Sequence, residues 1–273
     1  LIPLARGKPT STRPENVIIS IKNAVLEGFQ EVVLTGIHLG LYGKDINMSL
    51  SELLEEIILN TDIKRIRLSS LEINEINDSL LNLFKTGRIC DHLHIPLQSG
   101  DDGILALMDR GYKRANFIDK IKEIHSFLGN NPSIGTDVIV GFPGEGDREF
   151  HNTLDILENL PFSYVHVFPY SARPGTKAAG MANTVPSAVV KERVALLRRL
   201  SGRKNGAYKA AQVGKTLEVL TEKRVSENLY LGTSSNYLKV IVSSDSAVRG
   251  TLVHVRIHGV KEECLLGDRI NAP

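Results

Sequence analysis

Apolar and polar residues alternate in two different patterns along roughly the first 170 residues. Runs of aliphatic and β-branched residues predict five strands, at 31–35, 65–69, 92–95, 134–140 and 164–168. Apolar residues at helical spacing predict helices before them, at 14–28, 49–60, 77–84, 101–108, 114–128 and 147–159. This alternation is typical of an α/β fold with a parallel sheet. Because the chain opens on a loop and a helix, we expect a partial (βα)6 TIM-like barrel whose first strand is missing.

The pattern changes from Val185 onward. After a helix within 186–213, short alternating runs predict five strands, at 216–221, 229–233, 238–242, 251–257 and 264–270. Turn residues separate them, notably Ser244-Asp245 and His258-Gly259. Five short strands in about sixty residues predict a small β-barrel. We therefore expect three parts, namely a partial barrel at 1–185, a connecting helix at 186–213 and a small β-barrel at 214–273.

The composition is that of an ordinary globular chain of 273 residues, 42% hydrophobic and 23% charged. No apolar run reaches the ~18 residues of a membrane span, and no signal peptide opens the chain, so we expect a cytoplasmic location and no membrane contact. The two cysteines, Cys90 and Cys264, lie far apart and predict neither a disulfide framework nor a self-contained metal site. Both are interpreted as small buried hydrophobic residues.

Charge is unevenly distributed despite a formal net charge of +2. Residues 186–213 carry seven basic side chains and one acidic, whereas 1–185 carry 18 basic and 23 acidic. The basic residues of this helix alternate with Val190, Val194, Leu197 and Leu200 at helical spacing, so one side packs and the other is positive. A nucleic-acid contact and a solvated helix face both remain open.

Small and polar residues follow four predicted strands, at 34–40, 68–72, 94–100 and 141–145. Because the carboxyl ends of parallel strands meet at one edge of a sheet, we expect a cofactor there. In the second of these loops, two hydroxyls and a carboxylate suit a ribose or an amino group, although a cap on the next helix is equally compatible.

Two polar residues lie within predicted strands rather than after them. His94 is a weak candidate by itself, because structural histidines outnumber catalytic ones. Asp137 is expected to have either a structural partner or a ligand, since a buried carboxylate must be paired or hydrogen-bonded. No nucleophile, base and acid set emerges, so we predict no catalytic side chain and no metal ligand. A cofactor that performs the difficult chemistry is the favoured interpretation.

Taken in order, the motifs of this chain resemble the radical S-adenosylmethionine (SAM) methylthiotransferases. The resemblance covers the whole chain through segments at 1–8, 34–43, 67–72, 94–100, 108–112, 135–145 and 168–176. It implies an enzyme that methylthiolates C2 of N6-threonylcarbamoyladenosine at position 37 of tRNA through a 5′-deoxyadenosyl radical. Sister branches act on isopentenyladenosine in tRNA or on a ribosomal-protein aspartate. It also implies that 214–273 is a TRAM domain, a β-barrel that engages RNA.

The resemblance places a set of rim residues near SAM: Gly36, Ser69, Ser70, Glu72, Gln98, Gly141 and Phe168. For tRNA, basic residues near the barrel mouth, on the connecting helix and in the small barrel are expected to neutralise phosphates: Arg6, Lys8, Arg13, Arg198, Arg199, Arg203, Lys239, Arg249 and Arg256. Tyr230 and Tyr237 are the stacking candidates of the small barrel. A barrel that only packs against its neighbour remains an alternative.

The chain also departs from the family. In these enzymes a Cys-x3-Cys-x2-Cys motif, which holds a 4Fe-4S cluster, comes just before the segment that resembles 1–8. We therefore expect 4Fe-4S clusters in an intact parent but not in this fragment, and we expect the fragment alone to be inactive. The donors of sulfur and electrons are not predicted. The alternatives are a non-catalytic RNA-binding module or, less favoured, a phosphate-handling barrel enzyme, which would need a basic residue in 141–145.

Overall fold

A computed structural model describes residues 9–129, 132–246 and 248–271. The chain divides into two compact units. The described residues of the first unit are 9–10, 70–77, 93–129 and 132–205. Those of the second unit are 11–69, 78–92, 206–246 and 248–271. None of the helices in these ranges is long and apolar enough to cross a membrane.

Helices and strands alternate up to residue 169 and strands follow from residue 216. The helices are α1 (Pro14–Leu26), α2 (Leu50–Asn60), α3 (Asp78–Phe84), α4 (Asp102–Leu107), α5 (Arg114–Leu128), α6 (Asp147–Asn159) and α7 (Ser187–Ala210). The strands are β1 (Glu31–Leu34), β2 (Arg65–Leu68), β3 (His92–His94), β4 (Ser133–Val140), β5 (Tyr164–Pro169), β6 (Thr216–Ser226), β7 (Leu229–Ser234), β8 (Lys239–Ser243), β9 (Leu252–Lys261) and β10 (Cys264–Ile270). Short 3-10 helices lie at Leu39–Leu41, Ile73–Glu75 and Lys177–Gly180.

Local sequence signals set the limits of the first helices. Pro14 occupies the first turn of α1, where its missing N–H costs nothing. Gly28 ends that helix with φ 91°, and the N–H groups of Gly28 and Phe29 donate to carbonyls of its last turn. Ser49 caps α2, where the sequence predicts the helix to begin, and it forms a capping box with Glu52.

In the first unit, β3, β4 and β5 form a parallel sheet in that order. The Thr136 hydroxyl joins the first two strands, since it donates to Ile95 O (2.8 Å) and accepts from Leu97 N–H (3.1 Å). Aliphatic residues of β4, β5 and α7 are buried in this unit, among them Val138, Val140, Val165, Val167, Val194, Leu197 and Leu200. The predicted parallel pairing is thereby confirmed for this part of the sheet.

In the second unit, β1 and β2 are parallel, and β6 to β10 form a closed barrel in the order β10-β8-β7-β6-β9. The barrel core is built mainly from alternate residues of its strands. The predicted α/β class and the small closed barrel are both confirmed. The domain limits drawn from the sequence stay a prediction.

Two predictions about the small barrel were wrong. His258 and Gly259 do not form a turn, because β9 continues to Lys261 and the chain reverses at Glu262, which has φ 53°. Gly259 lies opposite Leu266 in the antiparallel ladder with β10. Tyr230 cannot stack on a base, because its side chain is in the barrel core and only 4% exposed.

Two arginines of β2 hold the barrel within the second unit. Arg65 donates to the main-chain carbonyls of Glu218 (3.2 Å) and Thr233 (3.1 Å). Arg67 donates to those of Ser235 (3.1 Å) and Ser234 (3.2 Å). The carboxylate of Glu31 on β1 contacts both guanidinium groups, at 2.6 Å from Arg65 and 2.9 Å from Arg67.

Candidate functional site

In the first unit, the loops that follow β3 and β4 and the end of β5 carry three of the seven predicted cofactor residues, Gln98, Gly141 and Phe168. Gln98 has a left-handed backbone with φ 64°, while its N–H and carbonyl still pair with Asp137 and Ile139 of β4 (2.8 and 2.9 Å). Such a backbone costs a non-glycine residue about 1–3 kcal/mol, and strained residues of this kind cluster at functional sites. The Tyr112 hydroxyl fixes the same loop by donating to Leu97 O (2.9 Å).

The loop after β4 is braced by a buried ion pair. Gly141 has φ 82°, and its N–H donates to Glu145 Oε1 at 3.0 Å. Arg193 of α7 contacts the same carboxylate oxygen at 2.7 Å and also pairs with Asp147 at 2.7 Å. Burial raises the pKa of Glu145, although the Gly141 N–H and the Arg193 guanidinium act in the opposite direction. The loop therefore has a fixed shape before any ligand binds.

Ser70 is exposed and Glu72 is half-buried. The Glu72 carboxylate pairs with Arg110 at 2.7 Å, and the Glu72 N–H donates to Glu75 Oε2 at 3.0 Å. Glu72 thus has partners within the chain, while the Ser70 side chain is exposed. Contact with a ribose or amino group and capping of the following helix both stay predictions for this segment.

Aromatic residues surround the end of β5. Phe168 is 49% exposed, which suits a ring that stacks on a ligand. Tyr170 packs edge-on against Phe142, with ring centroids 5.3 Å apart. Its hydroxyl is buried and has no hydrogen-bond partner among the described residues. An unpaired buried hydroxyl is costly unless a ligand or water bonds to it.

In the second unit, Gly36 and Ser69 follow β1 and β2. The backbone of Gly36 does not have a positive φ, and a Cβ at this position would come no closer than 3.6 Å to other atoms. Neither backbone strain nor crowding within the chain therefore explains why residue 36 is a glycine. The Ser69 N–H donates to Leu34 O at 3.0 Å, but its hydroxyl is buried and unpaired among the described residues. These features fit a polar ligand at the ends of β1 and β2.

Asp137 has the structural partners that its position in a strand requires. Its Oδ1 lies 3.0 Å from His94 Nε2 and 3.2 Å from His166 Nδ1. Burial alone would raise the pKa of Asp137, but hydrogen bonds and positive charge from the two histidines outweigh it and hold the pKa below its usual range. His166 was not among the predicted site residues. Its signal was a histidine within the apolar run of β5, comparable to Asp137 within that of β4.

The structure divides the basic residues of α7 into two groups. Arg193 is buried in the ion pair described above, Lys204 donates to Glu158 O and Leu160 O (3.0 and 2.9 Å), and Lys209 pairs with Glu263. Burial and the neighbouring Arg203 charge lower the pKa of Lys204. The predicted phosphate contacts Arg198, Arg199 and Arg203 are exposed, and Arg203 forms only a loose pair with Glu158 at 3.6 Å.

The remaining predicted phosphate contacts belong to the second unit or lie outside the described residues. Arg13, Arg249 and Arg256 are exposed, while Lys239 is exposed but pairs with Glu222 at 2.9 Å. Arg6 and Lys8 lie outside the described residues. Tyr237 is 52% exposed, and its ring contacts His92 (4.5 Å between centroids) and the Arg67 guanidinium (5.0 Å).

The cysteines do not fit a 4Fe-4S cluster. Cys90 is buried with its Sγ 3.7 Å from Glu31 Oε2, and burial raises the pKa of its thiol to about 12. A thiol with such a pKa stays protonated at neutral pH, whereas cluster ligation requires thiolates. Cys264 is half-buried on β10, and the chain has no third cysteine.

Known proteins match the chain over nearly its whole length. It is 37% identical to the threonylcarbamoyladenosine tRNA methylthiotransferase MtaB of Thermotoga maritima, over 98% of this chain and 62% of that protein. MtaB of Aquifex aeolicus is 41% identical, over 94% of this chain and 61% of the relative. The tRNA-2-methylthio-N(6)-dimethylallyladenosine synthase of Acetivibrio thermocellus is 35% identical, over 98% and 56%. The chain thus spans about three fifths of the length of these relatives.

Solved structures and a family model agree with the sequence matches. The radical SAM enzyme coproporphyrinogen III oxidase (HemN) of Escherichia coli superposes with a TM-score of 0.52 at 12% identity, covering 82% of this chain and 61% of that structure. At this identity the match shows a shared fold. The model of the radical SAM superfamily matches residues 3–157. The chain belongs to the radical SAM superfamily.

Proposed function

We propose that this chain is part of a tRNA methylthiotransferase that adds a methylthio group to C2 of N6-threonylcarbamoyladenosine at position 37. The observation that carries this proposal is the identity of 37–41% to proteins named for that activity, over nearly all of this chain. A tRNA substrate implies a cytoplasmic location. The partial (βα)6 arrangement without a first strand and the TRAM nature of 214–273 belong to the same proposal.

We infer that SAM, the source of the radical in this superfamily, is bound by rim residues predicted from the sequence. In the first unit the candidates are Ser70, Glu72, Gln98, Gly141 and Phe168. The strained backbone of Gln98, the exposed Phe168 ring and the unpaired Tyr170 hydroxyl nearby in sequence support a ligand there. In the second unit, the candidates are Ser69 and Gly36. The Ser69 hydroxyl has no partner among the described residues, and Gly36 is not crowded by other atoms of the chain, so both suit a contact with SAM.

The iron-sulfur cluster of this superfamily needs ligands that the 273 residues do not supply. Cys90 is a protonated, buried thiol, and Cys264 has no neighbouring cysteine in the sequence. We therefore propose that the 273-residue chain is inactive alone and that an intact parent carries the cluster-binding cysteines. We assign no step of the reaction to a cluster within this chain.

A tRNA assay tests the proposed activity. The full-length gene product is expected to restore 2-methylthio-N6-threonylcarbamoyladenosine in a bacterial host that lacks its own methylthiotransferases, whereas the 273-residue chain is not. Mass spectrometry of digested tRNA distinguishes the products. A methylthio group found instead on dimethylallyladenosine would assign the protein to the sister branch, whose members are 34–35% identical to this chain. Unmodified tRNA with a cluster-loaded full-length protein would contradict both assignments.

Binding of tRNA to the 273-residue chain is expected to weaken steeply with salt, because phosphate contacts release counterions. Replacing both Arg198 and Arg199 with alanine should lower the slope of log K against log salt by about 2, since each lost phosphate contact removes about 1. Fluorescence anisotropy of labelled tRNA between low and moderate salt measures this slope.

Arg148 provides a matched control for that pair. It is an exposed arginine of the same unit, 83% exposed at its side chain, and it is not among the predicted phosphate contacts. The Arg148→Ala variant should keep the wild-type slope. Affinity that does not change with salt, or equal slopes for all three proteins, would remove α7 from the tRNA-binding surface.

A further inference from the structure

We propose that His94, Asp137 and His166 form a binding site for one divalent first-row transition metal ion such as Zn²⁺. The three residues lie on the adjacent parallel strands β3, β4 and β5 of the first unit. Each offers one ligand atom, and these atoms lie within 4.8 Å of one another. The site goes beyond the proposed methylthiotransferase activity, which does not depend on it.

Two of the three distances between ligand atoms are close to those around a coordinated metal, and the third, between His94 and His166, is within 4.8 Å. Asp137 Oδ1 lies 3.0 Å from His94 Nε2 and 3.2 Å from His166 Nδ1. In a tetrahedral site with metal–ligand bonds of 2.0–2.1 Å, neighbouring ligand atoms are about 3.3 Å apart. An ion can therefore be accommodated between the three ligand atoms with small side-chain rotations. Two imidazoles and one carboxylate suit Zn²⁺ or Fe²⁺ and are poor ligands for Mg²⁺ or Ca²⁺.

Tyr164 orients the imidazole ring of His94 through the ring nitrogen that does not face Asp137. Its hydroxyl lies 3.0 Å from His94 Nδ1, so the other ring nitrogen, Nε2, points toward Asp137. Metal-binding histidines commonly engage their second nitrogen in this way, which fixes the tautomer and the ring orientation. The Tyr164 ring lies over Gly135, where a Cβ would be 2.0 Å from the ring. A glycine at that position is thus required for the tyrosine that supports His94.

The site is anchored on one side and accessible on the other. The side chains of His94 and Asp137 are 10% and 23% exposed, whereas that of His166 is 56% exposed. An ion can enter from the His166 side and keep at least one position for water or a substrate group, as catalytic metal sites do.

Co²⁺ titration of the untagged 273-residue chain, purified in the presence of a chelator and then freed of it, tests the proposal. We expect saturable binding of one Co²⁺ per chain, seen as visible d–d absorption without the thiolate charge-transfer bands that cysteine ligands produce. Zn²⁺ should displace the Co²⁺, and an excess of Mg²⁺ should not.

His166→Ala is the informative variant, because an exposed side chain can be removed without threatening the fold. It should weaken Co²⁺ binding by at least about 100-fold, because mutating a residue that is only hydrogen-bonded to a metal ligand already lowers metal affinity by about 10–100-fold. Tyr164→Phe, which keeps the ring and removes the hydroxyl behind His94, should weaken it by about 10-fold. The matched control is His258→Ala, which removes an exposed histidine near a carboxylate of the small barrel (3.6 Å from Asp268) and should leave binding unchanged.

The titrations decide between a metal site and a hydrogen-bonded network. Equal Co²⁺ affinity in the wild type and in His166→Ala would overturn the proposal, as would thiolate charge-transfer bands or the absence of saturable binding. In each of those cases the three residues serve only to link their strands. Loss of methylthiotransferase activity would not bear on this result, because the test reads metal binding directly in the chain.

Discussion

Replacing Glu31 with glutamine is expected to lower the free energy of unfolding by about 3 kcal/mol at neutral pH, the range found when one partner of a buried ion pair is removed. Glu31 is 11% exposed at its side chain and contacts both Arg65 and Arg67, which are 2% and 5% exposed. The variant leaves the buried Arg67 guanidinium without a carboxylate and Arg65 with only the more distant Glu218 carboxylate, at 3.7 Å. Urea denaturation of the wild type and the variant measures the difference.

The effect of Glu31→Gln should depend on pH in a defined direction. Burial alone would raise the pKa of Glu31, but the hydrogen bonds and charges of Arg67 and Arg65 outweigh it and hold the pKa below its usual range. A carboxyl group with a lowered pKa in the folded state stabilises the protein above its unfolded-state pKa. The difference between wild type and variant should therefore be largest at neutral pH and shrink as the pH falls below about 4.3.

Glu27→Gln is the control for this prediction. Glu27 is an exposed glutamate of the same unit, next to the end of α1. Its replacement should change the free energy of unfolding by less than about 0.5 kcal/mol. A Glu31→Gln variant as stable as the control would mean that the contacts of Arg65 and Arg67 with main-chain carbonyls suffice without the carboxylate.

Gly141→Ala is expected to lower the free energy of unfolding by about 3 kcal/mol through two separate effects. An alanine Cβ would lie 2.4 Å from Val190 Cγ2, and overpacking of this kind typically costs 1–3 kcal/mol. Gly141 also has φ 82°, where a side chain adds about 1–2 kcal/mol of strain. Urea denaturation again provides the measurement.

A second substitution separates the two effects. Val190→Ala removes the clashing methyl groups, so in the Gly141→Ala background it should recover the overpacking part and leave the strain at φ 82°. Gly202→Ala on the same helix, α7, is the control. A Cβ there meets no atom within 4 Å, and alanine should stabilise the helix by about 0.5–1 kcal/mol. Additive losses in the double variant would show that the clash with Val190 does not occur.

The order of helices and strands, and the limits of the first helices, could be predicted because their signals are local. Pro14, Gly28 and Ser49 mark helix ends that the structure confirms. The alternating runs of the small barrel were recognised, yet two details of that alternation were misread. Tyr230 falls on the inward face of its strand, and the pairing of β9 with β10 continues at Gly259 after a shift of register. Here the ladder continued past a residue type that usually ends it.

The candidate site was predictable only in part. The order of helices and strands along the chain predicts which segments lie at the strand ends. The assignment of individual residues as SAM contacts stays a prediction. The grouping of His94, Asp137 and His166 depends on the register between strands that are distant in sequence, which no local pattern encodes. The internal contacts of Arg193 and Lys204 likewise require the packing of α7, so charge alone could not separate them from exposed residues such as Arg198.

The contact between β2 and the small barrel has a consequence for how this protein family can diverge. Arg65 and Arg67 bind four main-chain oxygens, those of residues 218, 233, 234 and 235. Every amino acid presents the same carbonyl group, so mutations that change side chains on this face of the barrel leave the anchoring atoms in place. A barrel transplanted from a divergent homologue should therefore keep these four contacts with β2, whereas side-chain contacts such as that of Tyr237 with Arg67 would depend on its sequence.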